Sequence, residues 1–295
     1  MRFPSWLCRL TVAACALLLA GGPASAKPAL WVARSATASV YLFGTIHALP
    51  PDTDWHSPKL DQAFAKAKEL WLEVADPADK AVVQPLMQQY GTDPSHPLSS
   101  KLGKDRLDRL DAALRQAGGP GEASVEPLRP WVVALMVALA PLRAAGLDPD
   151  SGADVSLKAE AEADGKPVHG LETAELQLRL FGTMPAKTEI ALLDEALDDA
   201  DAGPAKLAAM LAAWTAGDVT TIARLTLEEQ DSGPQWDDLK RAMFHDRNAN
   251  WTGQIAGLLT GTGTVFVAVG AGHLVGPDRV QDMLTAKGFK VERVQ

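Results

Sequence analysis

Two segments near opposite ends of the chain close in the same way. Tyr41-Leu42-Phe43-Gly44-Thr45-Ile46-His47 and Val267-Ala268-Val269-Gly270-Ala271-Gly272-His273 are each an apolar run followed by Gly-x-x-His. Short apolar runs of this kind read as strands buried on both faces. Such a strand delivers the chain to the carboxyl edge of an α/β sheet, where ligands bind. Glycine there permits a turn and close backbone approach, and the histidine stands just past the edge. If both strands share one sheet, His47 and His273 converge. Two convergent imidazoles suit a divalent metal or an acid/base pair.

The remaining pattern fits one sheet built from both chain ends. Ser57-Pro58 opens a helix, with serine as N-cap and proline in the first turn, and Leu60, Phe64 and Ala67 are its apolar positions. Leu70 to Val74 reads as a second buried strand, so the start runs β-loop-α-β. The middle is helical: Leu102 to Ala117, Trp131 to Leu142, Asp154 to Ala163, then helix after helix from Thr173 to about Leu259. Lys166 to Glu172 is a short strand reaching a loop. Thr264 to Val269, a helix over Pro277 to Lys287 with Gly288 as its C′ residue, and a strand over Phe289 to Val294 close the chain. The expected fold is a single α/β domain over 27–295, with a central mixed sheet and a large helical insertion.

Composition narrows the classes. At 47% hydrophobic and 22% charged, the chain has enough apolar material for a core, which excludes global disorder. The net charge is -9 and no Lys/Arg run reaches five residues, so a nucleic-acid partner is not expected. Residues 1–26 read as a secretory signal. Arg2 and Arg9 supply positive charge, Leu10 to Ala20 a short apolar stretch, and Ala24-Ser25-Ala26 the cleavage site. Cleavage after Ala26 removes both cysteines, Cys8 and Cys15. The expectation is a periplasmic or secreted protein with no stable membrane insertion once cleaved, resting on its core alone.

Acids close two of the expected strands, Glu73 after Leu70-Trp71-Leu72 and Glu172 after Val168-His169-Gly170-Leu171. With the two histidines they make a His, Glu, Glu, His set on one sheet edge. That set suits Zn, Mn, Co or Fe, with room for one acid as base. His47, His273 and Glu73 are the expected metal ligands. Glu73 is the first choice as ligand or base and Glu172 the second, and the sequence leaves the two roles unassigned.

These residues carry a resemblance. The chain resembles the TraB/GumN family, which includes the TIKI proteases and is similar in fold to the ChaN and erythromycin-esterase group. The GumN-like bacterial branch is the nearest in pattern. The resemblance covers nearly the whole mature chain: both Gly-x-x-His motifs, Leu72-Glu73, Leu128-Arg129-Pro130-Trp131, Gly170-Leu171-Glu172-Thr173, Arg247-Asn248 with Trp251, and the closing Ala286 to Val294. It implies a metal-dependent hydrolase, with a peptidase as one form. The ChaN likeness allows instead a metal- or haem-binding envelope protein without turnover. The erythromycin-esterase likeness allows a metal-free hydrolase using the His/Glu set as acid and base. The GumN name suggests an accessory factor with an envelope partner. The substrate, a peptide or small molecule, is not readable.

Further residues have a structural reading beside a functional one. Arg129 and Arg247 are candidate site arginines, facing carboxylates or an anionic group; the plain alternative for Arg129 is a salt bridge beside Trp131. Asp154, in Gly152-Ala153-Asp154 where the family often has Gly-Val-Asp, reads first as a helix cap or a solvated position. His56, His96 and His245 read as surface histidines, and His169 as a packed or supporting one.

Overall fold

The computed structural model describes residues 27–295 apart from 78, 117, 119, 120, 203, 204 and 229–233. The signal-peptide reading of residues 1–26 lies outside the described residues. The six strands of the sheet are β1 (Leu30–Arg34), β2 (Ala38–Thr45), β3 (Leu70–Leu72), β4 (Val168–Gly170), β5 (Gly263–Gly270) and β6 (Lys290–Arg293), in the order β4-β3-β5-β2-β1-β6. β4, β3, β5 and β2 run parallel, β1 pairs antiparallel with β2, and β6 pairs antiparallel with β1. The sheet is therefore mixed and drawn from both chain ends, as the sequence implies. β1 and the helix Lys80–Gly91 are additions to the sequence reading.

The register places the two motifs. β2 and β5 are adjacent, with Phe43 opposite Ala268 and Thr45 opposite Gly270. Both Gly-x-x-His segments thus leave neighbouring parallel strands at the same edge. Leu72 of β3 pairs with Ala268 of β5 and with Gly170 of β4, so Glu73 and Glu172 emerge there too. Beyond the strands the pairing continues, with Glu172 N–H donating to the Glu73 carbonyl at 2.9 Å.

Alternation along the central strands builds two cores. Phe43, Phe266 and Ala268 face one layer, with Leu60 and Phe64 of the helix Pro58–Lys66, Leu157 and Ala161 of Ala153–Ala163, and Trp214. Val40, Leu42, Val265, Val267 and Val269 face the other, with Trp251, Ile255 and Leu259 of Asp246–Leu259 and Leu284 of Val280–Ala286. Burial on both faces is why these strands read as continuous apolar runs. Ser57 caps its helix as expected, its hydroxyl accepting from Leu60 N–H at 3.1 Å. Gly288, at φ 90, follows the last helix in the left-handed conformation.

The insertion forms a further core of its own. Leu110 and Leu114, Val133 and Val137, and Leu193 and Leu197 pack together from the helices Lys104–Gln116, Pro130–Ala144 and Ala186–Ala202. Among the described residues no helix is long and apolar enough to cross a membrane.

Candidate functional site at the carboxyl edge of the sheet

Gly270 marks the centre of the site. A Cβ there would stand 3.1 Å from Glu73 Oε1, 3.5 Å from His47 Nε2 and 3.7 Å from His273 Cδ2. A bare backbone at the end of β5 lets the three side chains share one space, and the Gly270 N–H donates to Glu73 Oε1 at 2.7 Å.

Arg247, in the first turn of the helix Asp246–Leu259, binds the two glutamates together. Its Nη2 donates to Glu73 Oε2 at 2.5 Å and also to Glu172 Oε1, and its Nε lies 3.1 Å from Glu172 Oε1. Gln177 completes the bridge: its Nε2 donates to Glu172 Oε1 at 2.7 Å and to Glu73 Oε2 at 3.1 Å. His273 joins from the other side. Its Nε2 lies 3.1 Å from Arg247 Nη1, and 3.8 Å from Glu73 Oε1.

The two histidines stand in opposite environments. The His273 side chain is 6% exposed, between the rings of Trp251 and Phe244 at 4.4 and 5.2 Å. Its Nδ1 lies 2.7 Å from Asn248 Oδ1, while Asn248 Nδ2 donates to the Asp278 carbonyl at 3.0 Å. That second bond fixes the amide, so His273 carries its proton on Nδ1 and accepts from Arg247 on Nε2. Burial pushes the His273 pKa down to about 4. The His47 side chain is 64% exposed, and its Nδ1 meets Asp154 Oδ1 at 3.2 Å. Asp154 raises the His47 pKa to about 8, with Glu73 adding to the rise and Arg247 opposing it. Burial would raise Glu73, but His273, Arg247, His47 and the Gly270 N–H together hold it down at about 2. Burial works against the Arg247 charge too, yet Glu172 and Glu73 raise its pKa overall.

Of the residues singled out from sequence, His47, Glu73, Glu172, Arg247 and His273 meet in this cluster. Arg129 does not. It precedes the helix Pro130–Ala144 and turns into the helical insertion, where Glu189 pairs with its guanidinium and the Tyr90 and Gly182 carbonyls accept from it. His56 lies against Asp61 and Glu160, His96 against Asp93, His245 against Asp278, and His169 against Glu69 and the Trp71 ring. Sequence reasoning passed over Gln177 and gave Asn248 no role. Asp154, read first as a cap, is the partner of His47.

The donor set does not fit a divalent ion as it is arranged. Glu73 Oε2 accepts from both Gln177 and Arg247, and the His273 Nε2 lone pair accepts from Arg247. Of the three expected ligands this leaves one lone pair of Glu73 Oε1, beside its bond from the Gly270 N–H, and His47 Nε2. Among the described residues no group of three or more His, Cys, Asp or Glu is placed, as the side chains stand around Arg247, to hold a metal ion.

A mixed α/β sheet with paired Gly-x-x-His turns and strand-end glutamates, gathered around a buried arginine, defines an α/β protein with a polar site on its carboxyl edge. The chain belongs to the TraB/PrgY/gumN family, whose model matches residues 29–293. It is similar to YbaP of Escherichia coli strain K12, described as an uncharacterized protein: 28% identical over 188 residues, covering 63% of this chain and 67% of YbaP. An uncharacterized protein of Treponema pallidum strain Nichols is 24% identical over 272 residues, covering 86% of this chain and 79% of that protein. No solved structure matches.

Proposed function

We propose that this chain is an exported hydrolase that works without a metal, with His47 as its proton carrier. One observation carries the reading: Asp154 engages His47 Nδ1, and Nε2 is left facing the space shared with Glu73 Oε1. A carboxylate behind an imidazole orients the ring and stabilises its charged form. A base whose pKa lies near the working pH is also the efficient one.

The reaction that this arrangement serves is attack of water on a carbonyl or comparable acyl centre. Neutral His47 takes the proton of the attacking water on Nε2 and hands it to the leaving atom as the bond breaks. Glu73, ionised and fixed by the Gly270 N–H and Arg247, accepts a hydrogen bond from the water and favours the imidazolium as it forms. With its pKa held near 2, Glu73 is too weak a base to carry the proton itself. Glu172, Gln177 and Arg247 hold Glu73 in place.

The test is an assay of the protein from Lys27 onward against fluorogenic peptides and simple aryl esters, with and without EDTA. Turnover should survive EDTA and fall by about 10²-fold or more in His47→Ala. Turnover that EDTA abolishes and added metal restores sinks the metal-free reading, and unchanged turnover in His47→Ala sinks the role of His47.

A further inference from the structure

All five N–H groups of Arg247 have partners within the site. Nε faces Glu172, Nη1 donates to the Met243 carbonyl at 3.2 Å and to His273 Nε2, and Nη2 donates to Glu73 and Glu172. The guanidinium also lies over the Trp251 ring at 4.6 Å. Its side chain is 11% exposed, that of Glu73 is 14% and that of Glu172 is 5%. A saturated, stacked guanidinium has no donor left for a substrate. It serves instead as the positive charge held between two buried carboxylates that lie side by side.

We propose that Arg247 is the resident cation of this site, filling the place that a divalent ion would take among Glu73, Glu172 and His273. On this assignment His273 is a positioning residue that seats the arginine. The donor types are those of a metal centre, two carboxylates and one imidazole with its Nε2 lone pair turned inward. The second contacts also resemble those of a ligating imidazole, since Nδ1 is anchored on Asn248. What they surround is a side chain. The chain therefore carries its cation covalently, independent of metal supply. The inference stands on the geometry of the cluster, and it holds whether or not the site hydrolyses anything.

Cobalt(II) is the probe, because its visible absorption reports coordination by nitrogen and oxygen. Wild-type protein from Lys27 onward should show no stoichiometric cobalt uptake involving Glu73 or His273. Arg247→Ala vacates the space between three donors and should bind one cobalt about tenfold or more tighter than wild type. The double variant Arg247→Ala/Glu73→Gln should lose that gain. A second measurement needs no variant: nitrogen-15 spectra of wild-type histidines should show one imidazole, assigned through His273→Gln, as a neutral ring protonated on Nδ1 at pH 7. Stoichiometric cobalt binding by wild type that Glu73→Gln or His273→Gln removes overturns the proposal. So does a folded Arg247→Ala that takes up no cobalt, or a His273 ring protonated on Nε2. Because none of these readouts is turnover, their failure is separable from failure of the hydrolase reading.

Discussion

Asp154 Oδ1 stands 3.2 Å from Nδ1 of His47, and Nε2 of that ring faces the space beside Gly270 and Glu73 Oε1. The contact raises the His47 pKa from 6.5 to about 8. Asp154→Asn should bring it back toward 6.5, read by proton NMR titration of the ring. Activity that uses the neutral ring should rise with pH and reach half its plateau near 8 in wild type, and at lower pH in the variant. Because the folded pKa is raised, the contact adds stability fully below about 6.5 and loses it as pH rises through about 8. The gap in melting temperature between wild type and Asp154→Asn should shrink across that window.

Glu73 titrates in the opposite sense. Its pKa is lowered from 4.5 to about 2, so its stabilising effect is present above 4.5 and is lost as pH falls through about 2. Glu73→Gln keeps an oxygen for the Gly270 N–H but removes one charge from Arg247, which retains Glu172. A loss of about 1–3 kcal/mol at pH 7 is expected by urea denaturation. The difference should narrow as the wild type is acidified below pH 4.5.

The two motif histidines should separate in a stability assay. His273→Ala leaves a cavity between Trp251 and Phe244 and strands the Asn248 oxygen and one Arg247 N–H. A cost of about 2–4 kcal/mol follows. His47→Ala, at a largely exposed position, should cost less than about 1 kcal/mol, the loss of its screened Asp154 contact included. Equal losses in the two variants would contradict the placement of the rings.

Gly152 is where the helix Ala153–Ala163 closes on the first motif. A Cβ there would fall 2.5 Å from the His47 carbonyl oxygen, a backbone atom that cannot swing aside. Gly152→Ala should destabilise by about 1–3 kcal/mol and displace His47 from Asp154. The displacement should appear as a His47 pKa falling toward 6.5, even though no ionisable group has been changed.

Export is checked by N-terminal sequencing of protein recovered outside the cytoplasm. Lys27 should be the first residue, after Ala24-Ser25-Ala26. A chain beginning with lipid-modified Cys15 would point to a lipoprotein instead.

The sequence by itself determined the frame of the sheet. Val40 to Phe43 and Val265 to Val269 are apolar on both alternating faces, which reads as strands buried on both sides. Given one shared sheet, a motif placed directly after each one emerges at its carboxyl edge, and the parallel pairing of β2 and β5 supplies that condition. The strand-end positions of Glu73 and Glu172 follow from the same local pattern. What only the tertiary structure decided is which distant side chains complete the site and what state each histidine takes. Gln177 and Asp154 are single polar residues on the helices Ala174–Gly182 and Ala153–Ala163, and their sequence neighbours do not mark them as turned toward the site. Arg129 and Arg247 look alike as isolated arginines, yet one pairs with Glu189 in the helical insertion and the other with Glu73 and Glu172. The identical Gly-x-x-His motifs leave one ring exposed beside a carboxylate and the other packed against Trp251 and an arginine. Strand periodicity is a property of neighbouring residues and can be read along the chain. Desolvation and charge at a side chain depend on what the rest of the chain packs around it, and no run of adjacent residues encodes that.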